Sequence, residues 1–219
     1  MGHTRRLKKA RQAANQAVDN VPLASKAKAD DDASPIFFYR PCDPYGYLCQ
    51  WYLTPIPCPV TGITFNCAEQ YMMHAKAVLV SPNKSSDTDK AALILAAKDP
   101  SEQKGLGKKV SRWDEKAWED VRFENVVEGN WLKFSTSKHL REKLLATGDR
   151  ELVEAAPKDR VWGVGYNVRQ AARYRNSWGQ NLLGKALMAV RERLRAEEKH
   201  QRPEWYGDEE DIAVTEVDG

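Results

Sequence analysis

The alternation of apolar and polar residues predicts a mainly helical chain with a small β element. The clearest pattern is TFNCAEQYMMHAKAVLV, residues 64–80, where a short β-favouring entry leads into a helix that begins after Asn66, a candidate N-cap, and ends near Leu79. Further helices are predicted over residues 87–97, 101–109, 113–134, 138–146 and 182–198. Strands or extended segments are predicted over residues 36–39, 47–52, 63–66, 151–155 and 161–166. We therefore expect an α+β fold.

The distribution of large apolar residues predicts one domain between two disordered ends. Residues 1–34 are rich in Lys, Arg, Ala, Asp and Ser and are predicted to form a disordered basic arm. Residues 35–200 hold the domain, and residues 201–219 are predicted to be a disordered acidic tail. No apolar run reaches the roughly 18 residues that a membrane span needs, and no apolar stretch follows the basic start. We expect no membrane contact and a cytoplasmic location, with nuclear and mitochondrial locations left open.

Charge and cysteine spacing restrict the kinds of ligand. Residues 203–219 carry a net charge of −7, whereas residues 33–202 carry +7, a balance that favours phosphates or other anions. The four cysteines have no C-x-x-C pair, and the four histidines are scattered. This spacing is poor for a metal site, so we predict neither a metal nor a cofactor.

Two ionisable residues stand out within the apolar helix that follows Asn66. Glu69 and Lys76 are seven positions apart, close to two helical turns, so both side chains leave the helix from one face. An acid and an amine on one face can form a catalytic pair. The alternative is that Glu69 only complements the helix dipole and that Lys76 is an ordinary surface lysine.

The stretch Ala68-Glu69-Gln70-Tyr71-Met72-Met73-His74-Ala75-Lys76 resembles the signature A-E-[HQ]-Y-x-x-x-x-K of the NADAR family, named for NAD and ADP-ribose. The resemblance extends over about residues 36–195. It includes further separated motifs: Trp51-Tyr52, Trp118-x-x-x-Arg122, Lys133-Phe134, Leu152-Val153-Glu154-Ala155, Asp159 with Trp162-Gly163-Val164-Gly165, and Trp178-Gly179-Gln180-Asn181-Leu182-Leu183-Gly184.

The resemblance implies an N-glycosidase that cuts the bond between a nitrogen and C1 of a phosphorylated ribose. Its expected partners are a phosphorylated ribosyl small molecule, such as a riboflavin-pathway intermediate, or an ADP-ribosylated nucleobase. Positive charge develops on C1 as this bond breaks, so a carboxylate is needed nearby. Glu69 is the first candidate and Asp159 the second. Lys76 either forms a Schiff base with the opened sugar or binds phosphate as a point charge.

Six residues are predicted to bind substrate, and most of them have a structural alternative. Trp162 and Gly163 suit a flat base against close backbone, although a buried tryptophan commonly serves packing. Arg122 can clamp a phosphate or form a surface ion pair. Asn181 can bond to ribose or cap the last helix. The other two predicted residues are Trp113 and Tyr71.

Two departures from the family pattern affect the expected substrate preference rather than the reaction. Cys49-Gln50 replaces Ser-Asn, and Lys108 replaces an arginine that commonly follows Leu-Gly. Two other functions stay open: a module that binds ADP-ribose or NAD without cutting it, and a weak nucleic-acid contact through the basic body and arm.

Overall fold

The computed structural model describes residues 34–80, 85–110 and 115–201. These residues form seven α-helices and four short strands. In chain order the elements are β1 (Ile36–Phe38), β2 (Ile56–Pro57), β3 (Thr64–Phe65), α1 (Ala68–Val80), α2 (Ser85–Ala96), α3 (Pro100–Lys108), α4 (Glu115–Ser135), α5 (Lys138–Leu145), β4 (Leu152–Glu154), α6 (Val168–Ala171) and α7 (Leu182–Gln201). Short 3₁₀ helices occupy Gly46–Leu48 and Ala172–Ser177.

The strands form two separate pairs. β1 and β4 are parallel, with Ile36 opposite Leu152 and Phe38 opposite Glu154, while β2 and β3 form a two-residue antiparallel pair. The carboxyl ends of β1 and β4 therefore lie side by side. Ligands of open parallel sheets bind outside this edge, which places Glu154 where a site is expected.

Helix α1 lies at the centre and packs against α2, α3 and α4. Glycines permit two of these approaches. A Cβ at Gly107 of α3 would overlap the Met73 sulfur, and one at Gly129 of α4 would lie 2.6 Å from a ring carbon of Tyr71. Because both contacts leave no room for a larger residue, α1 is held closely between its neighbours. Its polar residues are buried with it.

The segment after β4 is held by backbone hydrogen bonds to the start of α7. Gln180 N donates to Arg160 O at 2.8 Å, Leu182 N to Val161 O at 3.1 Å and Leu183 N to Trp162 O at 3.1 Å. These backbone hydrogen bonds join two motifs that are separated in sequence by about 20 residues. It fixes the loop that carries Asp159 at the end of β4.

The predicted α+β class with a mainly helical domain is confirmed, and all six predicted helices are found with shifts of a few residues at their ends. The predicted strand over residues 47–52 is wrong. This segment forms the first 3₁₀ helix and a turn, in which Leu48 N donates to Tyr45 O and Cys49 N to Gly46 O. Its aromatic residues gave a strand pattern, but local turn bonding determines its conformation.

Some predicted features differ from the structure, and others lie outside the residues that it describes. Asn66 does not cap α1, which begins at Ala68; its side-chain oxygen instead accepts a hydrogen bond from Gln103 at 3.0 Å. The helical segment after Asn167 was not predicted. The acidic tail from residue 202 and the arm up to residue 33 lie outside the described residues, so the domain bounds stay predictions. No helix of the described ranges has both the length and the apolar character of a membrane span.

Candidate active site

Glu69 is a buried acid at the start of α1, with 5% of its surface exposed. One carboxyl oxygen, Oε1, is inaccessible and has no hydrogen-bond partner among the described residues. The indole N–H of Trp51 donates to the carboxyl group. Burial raises the pKa of Glu69 and so does the nearby Asp159, whereas Lys104, the Trp51 hydrogen bond and Lys108 lower it. A buried, incompletely paired carboxyl group costs stability, as is usual for a group kept for function.

Glu154 is a second acid in the same place, at the carboxyl end of β4. Its Oε2 is also inaccessible and lacks a partner in the described structure. The pKa of Glu154 is raised to about 8, chiefly by burial and then by Asp159 and Glu69, with Lys104 acting in the opposite direction. Because the two carboxyl groups repel each other in a largely buried site, ionisation of one disfavours ionisation of the other, and their titrations are coupled.

Asp159 holds the loop next to these acids. Its Oδ1 accepts from Val161 N at 2.9 Å and from Trp162 N at 2.8 Å, which closes a tight turn. Asp159 was predicted as the second carboxylate, and the structure brings it within electrostatic range of Glu69 and Glu154. Its position supports two contributions, organising the loop and adding negative charge.

Lys76, Lys104 and Lys108 lie within electrostatic range of the acids. Lys76 is half-buried on α1; burial lowers its pKa, Glu69 raises it and Lys108 lowers it. The predicted proximity of Lys76 to Glu69 is therefore present. Lys104 of α3 was missed by sequence reasoning, although it is the positive charge shared by Glu69 and Glu154. Its ammonium also lies 5.9 Å from the Trp51 ring centroid, so an aromatic face and a cation are adjacent in the site.

Lys133 of α4 is fully buried against the loop that carries Cys49, and it was not among the predicted site residues. Its Nζ donates to Cys49 O at 3.0 Å and lies 5.5 Å from the Tyr52 ring centroid. Burial lowers the pKa of Lys133 to about 8. Cys49 connects this lysine to the site, because its thiol pKa is affected by Lys133, Glu154 and Glu69. Gln50, the second residue of the Cys49-Gln50 departure from the family pattern, accepts a hydrogen bond from Asn130 of α4 at 2.9 Å and fixes the same loop to the core.

The predicted substrate residues after β4 lie close to the acids. Trp162 is half-buried and packs against the main core. A Cβ at Gly163 would lie 2.7 Å from Glu154 O, so this glycine lets the loop pack closely on β4. Asn181 is buried with φ of 51° and uses its whole amide on β4: Oδ1 accepts from Glu154 N at 3.0 Å and Nδ2 donates to Leu152 O at 2.9 Å. Asn181 thus positions the backbone of Glu154.

The remaining predicted residues are not brought to the acid cluster. Tyr71 leaves α1 about 200° around the helix from Glu69 and packs edge-on against Phe65 with centroids 5.1 Å apart. Arg122 pairs with Glu119 on its own helix at 3.5 Å. Trp113 lies outside the described residues.

The sequence contained a signal for the missed acid. Glu154 interrupts the run Leu152-Val153-Glu154-Ala155, whose other members are completely buried, and a charged residue within a buried strand favours a functional role. Across residues 34–80, 85–110 and 115–201, His, Cys, Asp and Glu form no group of three suited to a metal ion. The site offers two acids with raised pKa values, a third carboxyl group, several amines and the indole of Trp51.

Comparison with known proteins gives consistent matches. The NADAR domain matches residues 37–195 of the chain. Several relatives called N-glycosidase match at 30 to 41% identity. N-glycosidase R617 of Acanthamoeba polyphaga mimivirus is 41% identical over 127 residues, which is 57% of this chain and 72% of that protein. The riboflavin biosynthesis protein VVA0006 of Vibrio vulnificus is 32% identical over 162 residues, covering 73% of this chain and 38% of the longer relative. The NMR structure of the E. coli protein YbiA matches with a TM-score of 0.63 at 27% identity, covering 78% of this chain and 91% of YbiA.

Proposed function

Because this chain belongs to the NADAR domain family and is an N-glycosidase, we propose that it hydrolyses the bond between a nitrogen and C1 of an ADP-ribosyl or phosphoribosyl group, with Glu154 as proton donor and Glu69 as carboxylate. The observation that carries this assignment is a pair of carboxyl groups, each with one inaccessible oxygen that has no hydrogen-bond partner among the described residues. One such acid has a structural explanation in many proteins. Two beside a shared lysine form a site prepared for proton transfer.

The roles follow from the surroundings of each acid. Glu69 has Lys104, Lys108 and the Trp51 N–H to stabilise its ionised form. Glu154 has Lys104 as its compensating cation and keeps its proton up to a pH of about 8. The protonated acid donates to the leaving nitrogen, which departs with the bonding electron pair. The carboxylate stabilises the positive charge on C1 and takes a proton from the water whose oxygen bonds to C1.

Proton balance is restored within the site. After hydrolysis Glu69 holds the proton from water and Glu154 has lost its own, so transfer between the two acids regenerates the starting state. Asp159 opposes ionisation of both acids and holds the turn beside them. Asn181 fixes the backbone of Glu154, which makes it a positioning residue in this proposal.

Lys76 has two roles that its position supports. As a free amine it adds to C1 of the ring-opened sugar, and the original nitrogen then leaves C1 with the bonding electron pair and a proton from Glu154; water later hydrolyses the resulting Schiff base and releases the lysine. Its partial burial favours the neutral amine, while Glu69 favours the ammonium. As an ammonium, Lys76 instead binds the phosphate of the substrate together with Lys108. Borohydride distinguishes the two: during turnover on wild-type protein, the Schiff base gives an adduct on the Lys76 peptide, whereas phosphate binding gives none.

The substrate class fits the same residues. A phosphorylated ribose requires cations near the acids, and Lys104, Lys108 and Lys76 supply them. Trp51, next to Lys104, offers a face for a flat base. An ADP-ribosylated nucleobase and a phosphoribosylated riboflavin-pathway intermediate both have these features. The name of the Vibrio vulnificus relative, a riboflavin biosynthesis protein, supports keeping the second of them as a candidate.

The test is to incubate the protein with ADP-ribosylated guanosine and, separately, with a 5-phosphoribosylamino pyrimidine, and to follow release by mass spectrometry. We expect wild type to cleave at least one and Glu69→Gln to bind it without turnover. Glu124→Gln, which removes an exposed carboxylate of α4, is the matched control and should retain activity. A wild type that binds ADP-ribose but cleaves neither substrate would contradict the proposal and favour a non-catalytic module.

A further inference from the structure

An exposed surface of arginines and tyrosines lies directly after the site loop. From Arg160 to Trp178 the chain has four arginines and no acidic residue. We define the arginine–tyrosine surface as Arg160, Tyr166, Arg169, Arg173 and Tyr174. None of these residues is used by the proposed mechanism.

The two tyrosines of this surface are stacked, with half-buried Tyr166 packed against the small apolar cluster around Val164 and Tyr174 lying outside it. The rings of Tyr166 and Tyr174 lie 4.9 Å apart at an interplanar angle of 12°, and Tyr174 is 40% exposed. The 3₁₀ helix Ala172–Ser177, which carries Tyr174, contains no buried residue. Apolar burial therefore accounts for Tyr166 but not for Tyr174, whose ring leaves aromatic surface in solvent.

Arg160 and Arg173 each lie beside one ring of this stack, and exposed Arg169, on α6, belongs to the same arginine-rich segment. Arg160 lies 6.0 Å from the Tyr166 ring centroid and donates to Ser177 O at 2.8 Å, while Arg173 lies 5.8 Å from the Tyr174 centroid. Among the neighbouring arginines, Arg175 pairs with Glu151 at 2.7 Å. In the part of the chain that the structure describes, Arg160, Arg169 and Arg173 have no ion-pair partner.

We propose that the arginine–tyrosine surface binds a single-stranded stretch of nucleic acid. Single strands are recognised by cationic side chains that contact phosphates and by aromatic or guanidinium planes on which bases stack, and this surface combines both. Charge complementarity thus favours a polyanion, and the stacked rings favour one that carries bases. The surface continues directly into the site, because Arg160 follows Asp159. Nucleotides bound here would flank a modified base presented to the two acids.

This placement selects between the two substrate classes and in that respect rests on the proposed function. A free phosphoribosyl intermediate has no flanking nucleotides and gains nothing from the surface. An ADP-ribosylated base within a strand gains phosphate and stacking contacts. The surface therefore raises the specificity for strand-borne substrate without taking part in bond cleavage.

The first experiment measures binding alone, so that it does not depend on the reaction. Fluorescence anisotropy follows a labelled, unmodified oligodeoxythymidylate of about 12 nucleotides binding to the full chain as the salt concentration is varied. The variants are the double substitution Arg169→Gln with Arg173→Gln, and Tyr174→Ala. The matched control is Lys116→Gln with Lys199→Gln, which removes two exposed charges elsewhere.

Losing two phosphate contacts should reduce the slope of log affinity against log salt by about 1.4. Losing one stacked base at Tyr174 should weaken binding roughly 5- to 150-fold. The control should change neither by a comparable amount. The proposal is overturned if wild type does not bind the strand, or if the arginine variant loses no more affinity than the lysine control.

A second experiment compares cleavage of ADP-ribosylated guanosine within an oligonucleotide and as a free nucleoside. The double arginine variant should raise KM for the strand alone and leave kcat and the nucleoside reaction unchanged. Equal effects on both substrates would overturn the proposal. If wild type cleaves neither, the proposed reaction fails while the binding experiment still decides the surface.

Discussion

Replacing Glu154 by Gln should stabilise the fold at neutral pH and abolish turnover of substrates whose leaving nitrogen needs a proton. The pKa of Glu154 is raised from 4.5 to about 8 in the folded protein, so between these pH values the unfolded chain releases a proton that the folded chain keeps. The ionisation of Glu154 therefore costs the folded protein no stability below pH 4.5, and the free energy of unfolding falls as the pH rises from 4.5 towards 8. At about 1.4 kcal/mol per pH unit, the loss reaches about 3 kcal/mol at pH 7. Glutamine does not titrate and avoids this loss.

The assay is urea unfolding followed by tryptophan fluorescence at pH 5 and pH 7, for wild type, Glu154→Gln and the exposed control Glu124→Gln. The free energy of unfolding of Glu154→Gln, relative to wild type, should increase by about 2 to 3 kcal/mol between the two pH values. Effects of shape and hydrogen bonding are present at both and cancel. A difference that is the same at pH 5 and pH 7 would refute the reasoning, because it would mean that Glu154 ionises normally in the folded protein.

Three further predictions concern the surroundings of the acids. In urea unfolding, the free energy of unfolding of wild type should increase by about 3 kcal/mol relative to Lys133→Met as the pH rises from 8 to 10.5. The reason is that the buried lysine, with a pKa of about 8, loses its proton in this range while the unfolded chain keeps it. A difference between the two proteins that does not change with pH would contradict this. Asn181→Ala should lower the free energy of unfolding by about 2 to 4 kcal/mol, because it leaves Glu154 N and Leu152 O unpaired. A urea midpoint no lower than that of the exposed control Gln180→Ala would contradict this. Activity of wild type should persist in EDTA, measured by product release, and a loss that added divalent metal restores would overturn the prediction of a metal-free site.

Local patterns were sufficient to predict part of the site. Glu69 and Lys76 are on one helix, and their spacing of seven residues already places them on one face. The predicted helices were found for the same reason, since each carries its own period of apolar residues. Tyr71 shows the limit of prediction from a family motif. It belongs to the motif that contains Glu69, but its side chain leaves the helix on the face away from Glu69.

The rest of the site is made by tertiary packing, which no local pattern encodes. Glu154 reaches Glu69 because β4 pairs in parallel with β1, and Lys104 reaches both because α3 packs on α1 through Gly107. Asn181 can position Glu154 because backbone hydrogen bonds join the segment after β4 to the start of α7. Where local turn bonding dominated, as over residues 47–52, the aromatic pattern predicted the wrong element.

The most direct test of the central claim measures hydrolysis of two ribosyl substrates that differ in leaving group. One leaves as a basic amine that needs a proton, and the other as a 4-nitrophenolate that departs without one. If Glu154 is the proton donor, Glu154→Gln should lose turnover on the amine and retain much of it on the nitrophenyl substrate, whereas Glu69→Gln should lose both. Equal losses on both substrates for Glu154→Gln, or nitrophenyl turnover that survives in Glu69→Gln, would contradict the division of roles between the two buried acids.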